Sequence, residues 1–517
     1  MIDLAGSHIE LLAYTIPPES IKVFLVKEKQ MAEETPKEIA SPVEKPLDNI
    51  VTSKHSVTID GKEICYTVTV GTMVVSQESR KDGIYEGEKP RFEIFFTAYT
   101  LDEPGDIADR PLTFSFNGGP GSASMWVHLG FLGPRRVQLD PDGNVIKFPA
   151  PLIDNEFSIL DLTDLVFIDP VMTGYSRAIV GNKESDFLGY ENDIQSVGDF
   201  IRLYVTRNER WASPKYLAGE SYGTPRSIGL TKYLSEEYSL DLNGLMLIST
   251  ANDFSTLEFD PGNELPFVLH LPTYAADAWY YKKADRKYLE MSIQDYTKEV
   301  RAFAEGEYLT ALFKGSRLTQ SERENLAEKL SSYTGLSKRY ILNSNLRIEI
   351  SHFCKELLRD EHLVVGRIDS RYTGTDRNNV GGTFEDDPSG YQLAGAFGGA
   401  INDYFRRELG FKCERPYKTS VSLWKDWKYN NNSYLQQQDI IRDDMSKNKD
   451  LKVWVICGYY DLATPFFAAE WVYDHIFLEP EYQKNLTFTY YESGHMIYLH
   501  EPSLAQFKKD AVKWYRR

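Results

Sequence analysis

KYLAGESYGTPRSIGLTKYLSEEY, residues 215–238, is the segment from which the architecture of this chain follows. Its first five residues are typical of a short buried strand, and the residues after Gly223 are typical of a helix. The sharp turn between them needs small residues at both ends, and it lifts the Ser221 hydroxyl above the sheet, beside a helix N-terminus that favours developing negative charge. Ser221 is therefore a candidate nucleophile, the alternative being an ordinary tight turn with a capping serine.

Strands alternate with helices on both sides of this segment. Ile194, Val197, Ile201 and Val205 are spaced as one helix face, and Asp60-Gly61 is typical of a hairpin turn. Such alternation indicates an α/β fold with a mainly parallel sheet that helices cover on both faces. The predicted strands lie in residues 55–75, 91–100, 111–117, 165–169, 215–219, 244–250, 451–458 and 486–493.

A stretch of mainly helical pattern interrupts this alternation at residues 262–440. Because sheet-like segments resume after it, we expect a large helical cap that is inserted into an α/β core of residues 55–261 and 441–517. Residues 1–54 contain a Glu-, Lys- and Pro-rich tail that cannot bury enough apolar surface to order itself, so we expect a disordered or loosely attached N-terminal segment.

Composition restricts the class of protein. The chain has 517 residues, 42% of them hydrophobic, and a formal net charge of −18, which disfavours nucleic acid and anionic membranes as partners. No apolar run is long enough for a transmembrane helix, and the N-terminus lacks the pattern of a secretory signal. The four cysteines are widely separated, so we expect no disulfide framework, no metal site and a reducing, cytoplasmic setting.

A nucleophilic serine needs a base, and the base needs an orienting acid. His495 follows the last predicted strand in Gly494-His495-Met496, and Asp461 follows the strand before it. Both lie beyond the C-terminal ends of strands, where such sheets place their sites, and the order Ser, acid, His is that of the α/β-hydrolase fold. The alternatives are a surface or core histidine, and an aspartate that caps the helix after residue 465.

The segment 117–121, Asn-Gly-Gly-Pro-Gly, follows the strand-like residues 111–117. Adjacent glycines expose backbone N–H groups and permit dihedral angles that other residues avoid, so this loop can aim donors at an oxyanion. The alternative is a plain Gly-Pro turn.

Taken together, these motifs resemble those of the serine carboxypeptidases. They occur in the order of that family and are spread over most of the chain. The matching segments are FNGGPGSASMW (116–126), IDPVMTGYS (168–176), GESYG (219–223), CGYYDLATP (457–465) and SGHM (493–496). Two further segments, LPTYAADAWYY (271–281) and GRIDSRYTG (366–374), look like the microbial branch of the family, which carries a cap of this length.

The resemblance implies a role for each matching residue. Ser221, Asp461 and His495 would form the catalytic triad, and the N–H groups of Gly119 and Tyr222 the oxyanion hole. The residues implied to bind the free C-terminal carboxylate of a peptide substrate, or to line the pocket of the leaving residue, are Asn117, Gly118, Glu220 and Met496. No metal and no organic cofactor is implied.

Three positions depart from the family pattern. Phe131 stands where well-studied relatives carry a second glutamate, paired with the one before the nucleophile. Ser122 replaces a cysteine, which removes one disulfide and agrees with a reducing compartment, and Tyr498 replaces a proline. The change at residue 131 affects substrate recognition and leaves the triad intact.

Three functions therefore remain open. The first is a carboxypeptidase that acts through an acyl-enzyme, and the second is an esterase or acyltransferase on the same scaffold, which the loss of a second glutamate favours. The third is a non-catalytic binding protein. Loss of activity on C-terminally amidated peptides separates the first from the second, and labelling of Ser221 by a fluorophosphonate separates both from the third.

Overall fold

A computed structural model describes residues 46–423, 425–429 and 433–516. Its strands are β1 (Asn49–Ile59), β2 (Lys62–Lys81), β3 (Ile84–Leu101), β4 (Leu112–Phe116), β5 (Arg135–Val137), β6 (Leu152–Asp154), β7 (Asp164–Asp169), β8 (Arg177–Ala178), β9 (Lys215–Glu220), β10 (Gly244–Ile248), β11 (Val364–Val365), β12 (Thr373–Gly374), β13 (Lys452–Gly458) and β14 (Leu486–Tyr491).

The helices are α1 (Tyr190–Arg207), α2 (Gly223–Tyr238), α3 (Leu265–Tyr280), α4 (Arg286–Leu289), α5 (Ile293–Phe303), α6 (Leu309–Lys314), α7 (Gln320–Thr334), α8 (Lys338–Asn343), α9 (Ile350–Glu356), α10 (Pro388–Asp403), α11 (Gln438–Lys447), α12 (Phe466–Asp474), α13 (Pro480–Gln483) and α14 (Glu501–Arg516). Single turns of 3₁₀ or π geometry join several of them.

The main sheet has the strand order β1-β2-β3-β7-β4-β9-β10-β13-β14, with β8 paired to β3. From β7 to β14 all neighbouring strands are parallel, whereas β1, β2 and β3 form an antiparallel meander. This arrangement confirms the predicted mainly parallel sheet flanked by helices. The carboxyl ends of β4, β9, β10, β13 and β14 meet at one edge.

Alternate side chains of the central strands point to opposite faces of the sheet and pack into two separate hydrophobic cores. In β13, Val453 and Val455 pack into one core, and Trp454 and Ile456 into the other. Helices α1, α2 and α12 contribute to the first core, and α10 and α14 to the second. Burial on both faces explains why these strands are continuous apolar runs in the sequence.

A tight turn joins β1 to β2 in the N-terminal meander. At Asp60-Gly61 both residues have positive φ, 48° and 74°, as a two-residue hairpin turn requires, and Ile59 pairs with Lys62 across it. Strand β1 begins at Asn49, six residues before the start expected at residue 55. Residues 1–45, most of the predicted N-terminal segment, lie outside the described part of the chain.

Between β10 and β13 the chain forms helices α3 to α11 and the small β11–β12 ladder. The chain from Pro46 to Arg517 is one compact unit, so this insertion packs onto the sheet. The insertion boundaries at residues 262 and 440 remain predictions. The second one falls inside α11, which begins at Gln438 and ends at Lys447.

Candidate active site

Ser221 lies in the sharp turn between β9 and α2. It adopts a left-handed backbone conformation with φ of 59°, which is rare for a residue with a side chain. Its N–H donates to the Ile248 carbonyl at 2.9 Å, and its carbonyl accepts from the Thr224 N–H at 2.8 Å. These bonds hold the turn between the ends of β10 and α2, and they leave the partly exposed Ser221 side chain at the edge of the sheet.

The glycines around this turn are required by close backbone approach. A Cβ at Gly219 would lie 2.2 Å from the Gly223 carbonyl oxygen, and a Cβ at Gly118 would lie 2.4 Å from the Tyr222 nitrogen. Both contacts are to backbone, which cannot move aside. The Gly118 contact also shows that the glycine-rich loop packs directly against the serine turn.

Asp461 and His495 are in contact. His495 Nδ1 lies 2.8 Å from Asp461 Oδ2, and both side chains are buried. Asp461 also accepts the N–H groups of Ala463 and Thr464 at 2.9 Å and the Thr464 hydroxyl at 2.6 Å, which fixes the carboxylate. It is not the cap of α12, whose N-terminal cap is Pro465. A proton on Nδ1 that faces Asp461 leaves Nε2 free to accept one.

Burial lowers the pKa of His495, but the charge of Asp461 and its hydrogen bond outweigh this, so the pKa lies above the ordinary value of 6.5. The Ser249 hydroxyl, beyond β10, donates to the His495 carbonyl at 2.6 Å. Residues 492–496, which follow β14 and carry His495, form the histidine loop. Since the Ser221 N–H is hydrogen-bonded to the neighbouring Ile248, the end of β10 connects the serine turn with this loop.

A second anchor of the histidine loop comes from the insertion, and the sequence analysis did not identify it. The buried Asp369 carboxylate accepts the Gly494 N–H at 3.2 Å and pairs with Arg371 at 2.6 Å. Arg371 donates to the Ser493 hydroxyl at 3.1 Å. The His495 N–H donates to the Ile368 carbonyl at 2.8 Å. Only the resemblance of residues 366–374 to a family segment pointed to this region.

Gly119, Ser221 and Tyr222 line one cavity of about 460 Å³, together with Thr464 next to Asp461. The Gly119 φ of 106° is open to glycine alone. The far side of the cavity is formed largely by the insertion and the segment before it. Its remaining lining includes Phe254, Leu257, Phe259, Ile350 and Phe384, with Glu258, Glu349 and Arg367 as charged members.

Glu220 lies behind Ser221, with 3% of its surface exposed. Its Oε1 accepts from Asn117 Nδ2 at 2.7 Å, and Asn117 Oδ1 accepts the Val127 N–H at 3.1 Å. Burial raises the pKa of Glu220 to about 7, although the charge of His495, the nearby Tyr498 hydroxyl and the hydrogen bond from Asn117 lower it. Glu220 is therefore protonated in mildly acidic solution and about half ionised near pH 7.

The remaining predicted site residues do not line the cavity at Ser221. Gly118 and Met496 are buried, and neither is among the residues that line the cavity at Ser221. Phe131, at the position of the family's second glutamate, stacks on Tyr498 with ring centroids 4.7 Å apart. The structure therefore groups Asn117, Gly118 and Glu220 behind the nucleophile, with Met496 one residue from His495.

In residues 46–423, 425–429 and 433–516, no three His, Cys, Asp or Glu side chains are grouped as a metal site would need. Within the same ranges, no helix is both long and apolar enough to cross a membrane.

Comparison with known proteins identifies relatives of part of the chain. Residues 78–248 match the family model described as serine carboxypeptidase. The Saccharomyces cerevisiae protein named pheromone-processing carboxypeptidase KEX1 is 33% identical over 152 residues, 28% of this chain and 19% of the relative. Serine carboxypeptidase-like 36 of Arabidopsis thaliana is 27% identical over 165 residues, 30% of this chain and 31% of the relative. The alignments thus span less than a third of either relative.

The fold has a match that extends over most of the chain. The crystal structure of Kex1(delta)p, a prohormone-processing carboxypeptidase from Saccharomyces cerevisiae, aligns with 86% of this chain and 91% of its own length. The TM-score is 0.54 and the sequence identity 17%. The likeness shows the α/β-hydrolase fold. The sequence match covers the glycine-rich loop and Ser221, whereas Asp461 and His495 lie beyond it.

Proposed function

We propose that this chain, which belongs to the serine carboxypeptidase family, hydrolyses the last peptide bond of peptides that have a free C-terminus. The observation that carries the proposal is the buried carboxyl group of Glu220, next to Ser221 in the chain and bonded to Asn117. A protonated carboxyl group can donate a hydrogen bond to a carboxylate. The terminal carboxylate is the group that distinguishes the end of a peptide from its interior.

In the proposed reaction, Ser221 Oγ attacks the scissile carbonyl carbon while His495 Nε2 accepts the hydroxyl proton. Asp461 stabilises the imidazolium, and the N–H groups of Gly119 and Tyr222 donate to the oxyanion. His495 then returns the proton to the nitrogen of the leaving residue, and the C–N bond breaks. Water attacks the acyl-enzyme by the same proton path and releases the shortened peptide and Ser221.

Recognition of the substrate falls to the residues behind the nucleophile. We assign the terminal carboxylate to Asn117, the Gly118 N–H and protonated Glu220, and we assign Met496 to the pocket of the leaving residue. Ionised Glu220 repels a carboxylate, so recognition of free C-termini weakens as pH rises through about 7. Neutral His495 is needed at the same time, and because its pKa is raised, activity is lost on the acidic side at a higher pH than an ordinary histidine would set.

The test is mass spectrometry of a mixed peptide library after incubation with the purified protein. We expect ladders that shorten from the C-terminus, weak action on the same peptides when amidated, and no ladder with Ser221→Ala. Internal cuts, or equal cleavage of free and amidated peptides, would contradict carboxypeptidase activity.

An esterase or acyltransferase is the second candidate, because Phe131 occupies the position of the second glutamate and packs on Tyr498. Small ester substrates and acyl acceptors, assayed beside peptides, distinguish it. Faster turnover of esters, together with no preference for free C-termini, would favour this candidate.

A further inference from the structure

Tyr498 lies opposite the carboxyl group of Glu220. It follows the histidine loop in the short turn Ile497–Leu499, and 3% of its surface is exposed. Burial raises the pKa of both side chains, and the nearby Tyr498 hydroxyl lowers that of Glu220. Tyr498 Oη and Glu220 Oε2 are both buried, and neither has a hydrogen-bond partner among the described residues. The hydroxyl also faces Asn117.

The position of the Tyr498 ring is fixed by its surroundings. It stacks on Phe131 with an interplanar angle of 22°, and Phe131 is fully buried. Gly130 makes room for the ring, since a Cβ there would lie 2.6 and 2.8 Å from two of its carbon atoms. A hydroxyl on a ring held in this way has little freedom except rotation of its proton.

Two of the three departures from the family pattern, Phe131 and Tyr498, are therefore one structural change. Phe131 and Tyr498 are 367 positions apart in the sequence, 498 minus 131, but their rings are in contact. The aromatic residue at 131 supports the ring at 498, and the ring at 498 brings a hydroxyl to Glu220. A glutamate at 131 would instead place a second carboxyl group in this region.

We propose that Tyr498 is a positioning residue for recognition of the substrate's C-terminal carboxylate, and that its hydroxyl holds Glu220 in place of a second carboxyl group. The inference rests on the proposed function. A phenol accepts a hydrogen bond from protonated Glu220 and donates one to the ionised form, so it serves both states. A second carboxyl group would itself titrate and would repel ionised Glu220.

This role has a consequence for pH dependence. The groups that act on Glu220 are His495, Asp461, Asn117 and Tyr498. Because the Tyr498 hydroxyl stabilises ionised Glu220, its removal raises the pKa of Glu220. Tyr498→Phe therefore recognises free C-termini up to a higher pH than wild type, and less well at low pH because Glu220 is no longer held.

The experiment measures kcat/KM against pH for one peptide with a free C-terminus and for its amide, in wild type, Tyr498→Phe and Tyr491→Phe. Tyr491 is the matched control, because it is equally buried and its hydroxyl bonds to Asp510, on α14. For Tyr498→Phe we expect a lower free-to-amide ratio at low pH and an upward shift of the pH at which that ratio falls. A shift of one unit would raise the ratio about tenfold above both midpoints.

The outcomes separate the two claims. Profiles of Tyr498→Phe that match wild type, or equal losses on both peptides as in a purely structural defect, would overturn the role of Tyr498. A wild type that does not distinguish the free peptide from its amide would overturn the proposed function as well. Calorimetric binding of the free peptide to Ser221→Ala and to Ser221→Ala with Tyr498→Phe gives the same comparison without turnover.

Discussion

Ser221 combines a reactive position with a strained backbone. Its positive φ of 59° is a conformation that costs a residue with a side chain about 1–2 kcal/mol, and glycine adopts it freely. The strain is held by the bonds of Ser221 to Ile248 and Thr224 at either side of the turn. Backbone strain of this kind is concentrated at functional sites.

This strain allows removal of the nucleophile to be separated from damage to the fold. We expect Ser221→Ala and Ser221→Gly both to abolish hydrolysis. Ser221→Gly should be the more stable of the two by about 1 kcal/mol, because it relieves the conformation. Chemical denaturation and peptide assays measure the two effects. Wild-type turnover in either variant would exclude Ser221 as the nucleophile.

The raised pKa of Glu220 leads to a second prediction, on the pH dependence of stability. Its pKa is about 7 in the folded protein against an ordinary 4.5, so the folded state holds a proton that the unfolded chain releases between these values. Stability from this group is complete below 4.5 and is lost as pH rises through 7, at a cost of roughly 3 kcal/mol. Glu220→Gln removes that cost.

The measurement is the free energy of unfolding at pH 5 and pH 8. The advantage of Glu220→Gln over wild type should grow between these values, whereas Glu236→Gln, an exposed substitution on α2, should show no such growth. The variant should also flatten the pH dependence of the free-to-amide activity ratio. An advantage that is the same at both pH values would mean that Glu220 is ionised throughout.

At the scale of elements, the sequence predicted what is local. Strands β7, β9, β10, β13 and β14 lie within two residues of the predicted segments. Burial on both faces makes the first four largely apolar runs, whereas β14 is an edge strand of partly buried residues. The serine turn was also predictable from local sequence, because five consecutive residues, 219–223, define it. The continuous β2–β3 hairpin was not identified, although Asp82-Gly83 is a turn of the same kind as Asp60-Gly61.

Contacts between the insertion and the core could not be predicted from local sequence patterns. Asp369 meets Gly494 across 125 positions of sequence, and no periodicity encodes that approach. The same holds for Phe131 and Tyr498, where the sequence indicated the two unusual residues but not that their rings are in contact. A single sequence therefore predicted the residue types of the site better than the groups that orient them.

The contact of the insertion with the histidine loop makes a prediction at this scale. A Cβ on Gly494 would lie 2.4 Å from Asp369 Cβ, so Gly494→Ala must displace the loop. We expect kcat to fall at least about tenfold, since the position of His495 changes, and stability to fall by about 1–3 kcal/mol.

Gly399→Ala is the control for this substitution. Gly399 is exposed within α10 and a Cβ there has no neighbour within 4 Å, so alanine should leave activity unchanged and add about 1 kcal/mol of stability. Wild-type kcat in Gly494→Ala would show that the Asp369 contact does not orient His495.

For the whole molecule, the order of the strands explains why the site needs both parts of the core. Asn117, Ser221, Ser249, Asp461 and His495 follow β4, β9, β10, β13 and β14, which are consecutive neighbours in the sheet. Their carboxyl ends form one edge, where such sheets bind ligands. The insertion leaves the chain after β10 and returns before β13, so it covers this edge without interrupting the sheet.

The N-terminal boundary of the folded unit gives the last prediction. Asp48 accepts the Val74 N–H at 2.8 Å and pairs with Arg207 at 2.6 Å, and residues 49–59 pair with β2. A chain that starts at Pro46 should therefore match the full chain in melting temperature and in kcat/KM, because every proposed site residue lies between 117 and 498. A chain that starts at His55 loses the Asp48 contacts and half of the β1 ladder, and should be less stable by more than about 1 kcal/mol.

A start at Lys62 also removes the buried side chains of Val57 and Ile59, each worth about 1.5–3 kcal/mol, and exposes the edge of β2. Equal stability of the chains that start at Pro46 and at His55 would support the boundary expected from composition at residue 55 over the start of β1 at Asn49.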